Sequence, residues 1–374
     1  LSQTNLSLGM KIREIIHHLE MIAPPALQES YDNSGLITGD AFLDCTGVLI
    51  SLDATEEVVL EAVSRGCNLV ISHHPIVFSG LKKLTGRNYV ENTVITAIRH
   101  NITLYAIHTN LDNVSIGVSG KMADLLQLGN RRILQPKPGL LKKLYTFVPH
   151  AQLQQVSTAL FAAGAGHIGD YSECSYTVAG TGTYLPGEGT NPYAGKQGTR
   201  HEEPETRLEV IYPVWLESQV IAALRASHPY EEVAFDLVSL SNVHEAVGSG
   251  MIGELPAEVT ESDFLELLKT VFGLKVVRHT PFTGRMVRSV ALCGGAGSFL
   301  VSRALQLNAD VYITGDIKYH EFFDADGRML LADIGHFESE QFTVDLLYDI
   351  LAEKFPTFAV FKTGVNTNPV KYYI

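Results

Sequence analysis

Cysteine is scarce and scattered in this chain of 374 residues: Cys45, Cys67, Cys174 and Cys293 form no CxxC pair. That argues against a thiolate zinc site and a disulfide framework, and it fits a reducing, cytoplasmic setting. Long apolar runs are missing too. No stretch approaches the roughly 20 residues of a membrane span, and no basic start with an apolar stretch marks a signal peptide. Positive charge is in short supply, with 28 Lys plus Arg against 41 Asp plus Glu and a formal net charge of −13. The longest basic clusters are pairs such as Lys82-Lys83, Arg131-Arg132 and Lys142-Lys143, so long nucleic acids are disfavoured as partners. The hydrophobic fraction of 45% is ample for buried cores and excludes a disordered or fibrous chain. At roughly 150 residues per domain, two to three domains are expected. What the chain does have is fourteen histidines.

Residues 1–9 are polar and unpatterned, and Met10, which opens the first helical pattern (10–19), reads as a natural start. Apolar runs at 48–52, 68–72 and 103–107 read as strands, the first of them buried on both faces, with helical patterns at 56–64 and 94–101 between them. This alternation is the α/β signature. The rhythm changes at Gln135-Pro136-Lys137-Pro138-Gly139, a Pro- and Gly-containing boundary. Beyond it, strands near 144–148, 176–179, 207–212 and 233–240 with helices at 153–163 and 214–226 suggest a split-βαβ, ferredoxin-like α+β unit, with a long Gly-rich stretch at 180–198. After Gly248 the first rhythm returns, with strands 289–293, 310–314 and 329–332, a helix at 299–307 and a final helix from 337 to 355. The expected organisation is an α/β domain (10–136 and 246–374) interrupted by an inserted domain (137–245).

The chemistry sits where these strands end. Asp53, His73-His74, His108-Thr109-Asn110-Leu111-Asp112, Asp316 and His336 each follow an expected strand. In parallel sheets the ligand crevice lies beyond the carboxyl ends of the strands, so five segments are expected to deliver His or Asp to one edge of one sheet. His336 and Glu340 are four residues apart, on one helical face in line with Val344 and Leu347, which points both inward. A buried Glu beside a His needs a partner, and a cation is the simplest one. His73, His74, Asp112, His336 and Glu340 exceed the ligands of a single protein-bound zinc and suit two divalent ions with bridging carboxylates. Taken alone, a His-His pair is an ordinary loop or core feature and an Asp after a strand is an ordinary helix cap; their gathering at strand ends is what favours metal. Zinc, manganese, iron and cobalt all suit imidazole plus carboxylate. Asp316 and His320, again four apart, either orient a metal ligand or act as acid and base on a substrate near the metals, or Asp316 simply caps the helix that holds His320. The turn at Gly294-Gly295-Ala296-Gly297 either offers backbone N–H groups to a phosphate or permits tight packing.

At these residues the sequence resembles the Nif-three-like family, also named GTP cyclohydrolase I type 2. The resemblance rests on Ile71-Ser72-His73-His74-Pro75, His108 to Asp112, Ile313-Thr314-Gly315-Asp316 with His320, and Gly335-His336-Phe337-Glu338-Ser339-Glu340. Tyr31-Asp32-Asn33-Ser34-Gly35-Leu36 and the inserted His228-Pro229-Tyr230-Glu231-Glu232-Val233-Ala234 match its long-form members. The resemblance implies a discontinuous Nif-three-like α/β domain interrupted by a ferredoxin-like insert. It also implies a two-metal centre on the same five ligands and a toroidal homohexamer with the metals facing an internal cavity. The expected activity is a metal-dependent hydrolase acting on a nucleotide-like substrate. A metal-dependent phosphoesterase and a non-enzymatic regulatory or scaffold protein are the alternatives.

Overall fold

The computed structural model describes residues 9–373; residues 1–8, most of the unpatterned N-terminal segment, lie outside the described part. Two compact units share the chain: one combines the residues up to Gln135 with those from Ala246 onward, and the other is Pro136–Glu245. In chain order the strands are β1 (Gly35–Thr38), β2 (Val48–Asp53), β3 (Leu69–His74), β4 (Thr103–Ala106), β5 (Gly129–Pro136), β6 (Leu141–Pro149), β7 (Ser175–Tyr184) and β8 (His201–Pro213). They continue with β9 (Phe235–Ser239), β10 (Gly248–Thr260), β11 (Arg278–His279), β12 (Met286–Ala296), β13 (Val311–Gly315), β14 (Leu330–Asp333) and β15 (Val360–Lys362).

The discontinuous unit is α/β, and among the described residues it contains two sheets where the sequence suggests one. The first has the order β1-β4-β3-β2-β15, with β15, β2, β3 and β4 parallel and β1 antiparallel at the edge. The second runs β11-β14-β13-β12-β10-β5, with β12, β13 and β14 parallel and β10 and β11 antiparallel to their neighbours. The central strands are buried along their length, as continuous Val, Ile and Leu runs demand when both faces are covered. Helix Glu56–Ser64, whose Thr55 side chain caps Val58 N, places Val58, Val59 and Ala62 on Leu49, Val70 and Leu104 of the first sheet. Helix Glu261–Phe272 packs Phe264, Leu268 and Phe272 with Val290, Leu292, Val311 and Ile313 of the second. On the far side of that sheet, Leu300, Val301 and Ala304 meet Ala291, Tyr312 and Leu331.

Two expected elements change. The final helix is broken into His336–Glu340 and Thr343–Lys354, and at the break the Gln341 side chain donates to Glu338 O (3.1 Å) and Phe272 O (3.0 Å). Strand β12 continues through Gly294 and Gly295 to Ala296, and the α-helix after it starts only at Val301.

The Pro136–Glu245 unit follows the order β6-helix-β7-β8-helix-β9, with an antiparallel sheet β7-β8-β6-β9, the split-βαβ arrangement. Helices Leu153–Ala162 and Glu217–Ser227 bury Val156, Leu160, Val220 and Leu224 against Leu144, Val148, Leu208, Val210 and Tyr212. The alternating residues of β8, Glu205, Arg207 and Glu209, point to the opposite face, which no helix of this unit covers. No helix among the described residues is long and apolar enough to cross a membrane.

Candidate metal centre

The centre lies wholly within the discontinuous unit. His73 and His74 are the last residues of β3, and β2 ends beside them with Asp53 paired to His74. The short helix Thr109–Asp112 follows β4 and carries Asp112, with His108 just before it. The second sheet supplies Asp316 after β13 and, after β14, the helix that starts at His336 and ends at Glu340. Strand ends of two sheets, not one, therefore meet here.

Each imidazole is oriented through the same ring nitrogen. His73 Nδ1 donates to Ile107 O at 2.8 Å, His74 Nδ1 lies 2.8 Å from Asp53 Oδ1, His108 Nδ1 2.8 Å from Asp32 Oδ1, and His336 Nδ1 2.7 Å from Asp316 Oδ2. A carbonyl can only accept, so His73 Nδ1 carries a proton, and burial pushes the pKa of this histidine down to about 4. Its Nε2 is thus a bare lone pair at neutral pH. Tying Nδ1 to a carbonyl or carboxylate is how metal-binding histidines are held in the right tautomer. The tying carboxylates are themselves held: Asp32 accepts from Ser34 and from both groups of Thr109, and Asp53 from Thr367.

The free ligand atoms converge. Nε2 of His73 lies 3.5 Å from Asp112 Oδ1 and 3.8 Å from Glu340 Oε1. Glu340 Oε2 lies 2.9 Å from His74 Nε2 and 3.1 Å from His336 Nε2, yet it takes no properly directed hydrogen bond. Nε2 of His74 and His336 are 3.3 Å apart, a spacing at which both cannot point protons at each other. Three overlapping triads have ligand atoms within 4.8 Å: His73, His74 and His108; His74, His336 and Glu340; His73, Asp112 and Glu340.

A cation fits this donor set. His73 Nε2, Asp112 Oδ1 and Glu340 Oε2 are buried without a hydrogen-bond partner, and each such atom costs about 1–3 kcal/mol if nothing satisfies it. In the absence of an ion, protons take its place. Burial opposes charge on His74 and His336, but Asp53, Asp316 and Glu340 outweigh it and push them up to about 10 and about 9. Burial and the Glu340 charge raise Asp112 well above the ordinary carboxylate range. The glycines serve this approach: a Cβ on Gly295, at φ +63°, would stand 2.3 Å from Glu340 Oε1. Strand β12 continues through Gly294 and Gly295, and only a short 3-10 helix, Ser298–Leu300, follows Gly297, so the role these glycines show is to admit the Glu340 carboxylate.

All five expected ligands, His73, His74, Asp112, His336 and Glu340, are brought together. Asp316 joins them through His336. His320 does not: it lies exposed in the 3-10 helix Tyr319–Ala325, its ring 5.1 Å from that of Tyr319, and no hydrogen bond among the described residues links it to Asp316. Nor does Asp316 cap that helix, whose N-cap is Lys318, with its N–H donating to Glu321 Oε2. The sequence reading missed His108 as a donor and Asp32 and Asp53 as orienting groups. The signal was present for His108, four residues before Asp112 as His336 is before Glu340.

Fold and cluster together define an α/β protein whose strand ends enclose a buried imidazole and carboxylate centre able to hold metal. The chain belongs to the Duf34/NIF3 (NGG1p interacting factor 3) family, which it matches over residues 10–369. It is 38% identical over 364 residues to a GTP cyclohydrolase 1 type 2 homolog of Halalkalibacterium halodurans, covering 96% of this chain and 98% of that one. A Bacillus subtilis protein of the same name is 34% identical over 367 residues, covering 96% and 98%. Among solved structures, a Bacillus cereus protein related to NIF3 superposes with a TM-score of 0.85 at 36% identity, covering 97% of this chain and 99% of that one.

Proposed function

We propose that this protein is a dinuclear metal-dependent hydrolase acting on a guanine nucleotide or a close analogue, releasing ring carbon C8 as formate. The observation that carries the reading is the convergence of Nε2 atoms whose Nδ1 partners are all in place, around three buried and unsatisfied ligand atoms. His74, His336 and Glu340 would hold one ion and His73, Asp112 and Glu340 the other, with Glu340 common to both triads. His108 adds a further imidazole. Two divalent ions bound there would supply Lewis acidity toward the electrophilic carbon and acidify water for attack.

The chain's own residues set up that chemistry. Asp316 and Asp53 keep the protons of His336 and His74 on Nδ1, which would leave Nε2 free to hold an ion. Of the two residues expected to exchange protons, Asp316 is committed to orienting His336 and His320 is not brought to the centre, so they do not form the expected acid–base pair. The relatives named as GTP cyclohydrolase 1 type 2 homologs support guanine nucleotide as the substrate.

The test is formate release from GTP by metal-loaded protein against a His336→Ala control. Formate well above the control is expected. Phosphate release without formate would replace this assignment with phosphoesterase chemistry at the same centre, and neither product would remove the hydrolase reading.

A further inference from the structure

The helix-free face of the Pro136–Glu245 sheet lines an open cavity of about 630 Å³, in the size range of small-molecule sites. Its floor is made by two glycines of β7, Gly180 and Gly182, which lie on the same side of the sheet as Glu205. Gly182 is required there, since a Cβ would stand 2.1 Å from the Glu205 carboxylate. The walls are tyrosine rings: Tyr230 has its centroid 6.2 Å from that of Tyr184 and 5.8 Å from that of Tyr193. These positions are fixed by bonds. Tyr184 donates its hydroxyl to Ala194 O at 3.0 Å, and the Glu231 carboxylate accepts from Asn191 N at 3.0 and 3.2 Å, two residues before Tyr193.

Charge and polarity select the occupant. The lining carries three carboxylates, Glu205, Glu231 and Glu232, against one cation, Arg207. Arg207 is already engaged, 2.7 Å from Glu209 and lying over the Tyr145 ring, so the cavity keeps a net negative character. Glu205 is 7% exposed. Its Oε1 accepts the Tyr230 hydroxyl at 2.7 Å, and no other hydrogen bond among the described residues reaches it. Burial and Glu205 hold the Tyr230 hydroxyl above an ordinary phenol, so it stays a donor. An anion would meet carboxylates, and a bare metal ion would find a space far larger than its coordination sphere. A bulky cation meets aromatic rings and a buried counter-charge together, the combination that binds alkylammonium groups.

We propose that this cavity is a binding site for an organic ammonium ion, with the faces of Tyr184, Tyr193 and Tyr230 around the cationic head and Glu205 as its counter-ion. The site is built without any residue of the metal centre.

The experiment is calorimetric titration of the full-length protein with choline and with spermidine, alongside 3,3-dimethylbutanol, the uncharged isostere of choline. At least one cation is expected to bind, with choline or spermidine at least about tenfold tighter than the neutral alcohol. Glu205→Gln should remove that preference while metal content stays unchanged. If that variant misfolds, Tyr193→Leu, at a half-exposed position, removes the ring but keeps an apolar side chain and should weaken cation binding without altering the alcohol's. No heat with either cation at millimolar concentration, equal affinity for choline and its isostere, or a cation affinity unmoved by both variants would overturn the proposal.

Discussion

Two acidic sites in this molecule solve opposite problems. At the metal centre, carboxylates and imidazoles are drawn so close that ring nitrogens sit 3.3 Å apart, with buried ligand atoms left unsatisfied. In the Pro136–Glu245 unit, carboxylates line a cavity of about 630 Å³, and the most buried of them, Glu205, already accepts a tyrosine hydroxyl. The first arrangement calls for small, dense charge, and the second has room for a diffuse one. Negative charge alone therefore says little about a ligand; the free volume around it and the number of unmet lone pairs decide.

The sharpest way to test that contrast is at Glu340, the carboxylate common to two triads. Glu340→Gln should reduce affinity for divalent metal by more than about 100-fold, read as metal per chain after dialysis, since it removes a ligand outright and not only an orienting group. Retention of a full metal complement would break the assignment. One step out, Asp53→Asn and Asp316→Asn should each weaken metal binding by about 10–100-fold by freeing His74 or His336 to change tautomer.

Glycine substitutions set the two sites against each other. Gly295→Ala forces a methyl against Glu340 at a left-handed backbone position and should cost about 1–3 kcal/mol, seen as a lower Tm together with lost metal. Gly180→Ala, with nothing within 4 Å of the added Cβ, should leave the Tm nearly unmoved.

The smallest effect expected is on pH. Without metal, carboxylates hold His74 at about 10 and His336 at about 9, against 6.5 for an unperturbed imidazole. Their charged forms stabilise the metal-free fold fully below pH 6.5, and that contribution fades as pH rises through about 9 to 10. Ions bind the deprotonated rings, so metal loading at neutral pH should release protons, and apparent affinity should climb with pH over the same window. A titration in weak buffer with a pH electrode reads this directly, and zero proton release would contradict it.

The gathering of His73, His74, Asp112, His336 and Glu340 was legible because buried strands announce themselves as apolar runs, and a polar residue ending such a run, as His73-His74 does after 69–72, has to face something. The division into two sheets was not, because it depends on pairings between distant segments: Val360 of β15 beside Val48 of β2, and β10 antiparallel to β12. Nor could composition reveal what Gly295 is for, since the carboxylate it admits lies 45 positions further along. The spacing of Asp316 and His320 suggested one helix, but Asp316 adopts a left-handed backbone, φ +57°, as β13 ends, and its side chain goes to His336 instead. His108 was passed over for a similar reason: its partner Asp32 is 76 residues away in sequence.

The separation of 262 positions between His74 and His336 also imposes an order in time. At roughly 5–20 residues per second of synthesis, the first histidines wait tens of seconds for the last, and an entire second unit is made in between. The first sheet is likewise incomplete until β15 comes off the ribosome to pair with β2. A nascent chain thus offers His73, His74 and Asp112 without Glu340. A chain cut short before Glu340 lacks the carboxylate common to two of the three candidate triads, so only translation past that residue completes the candidate centre.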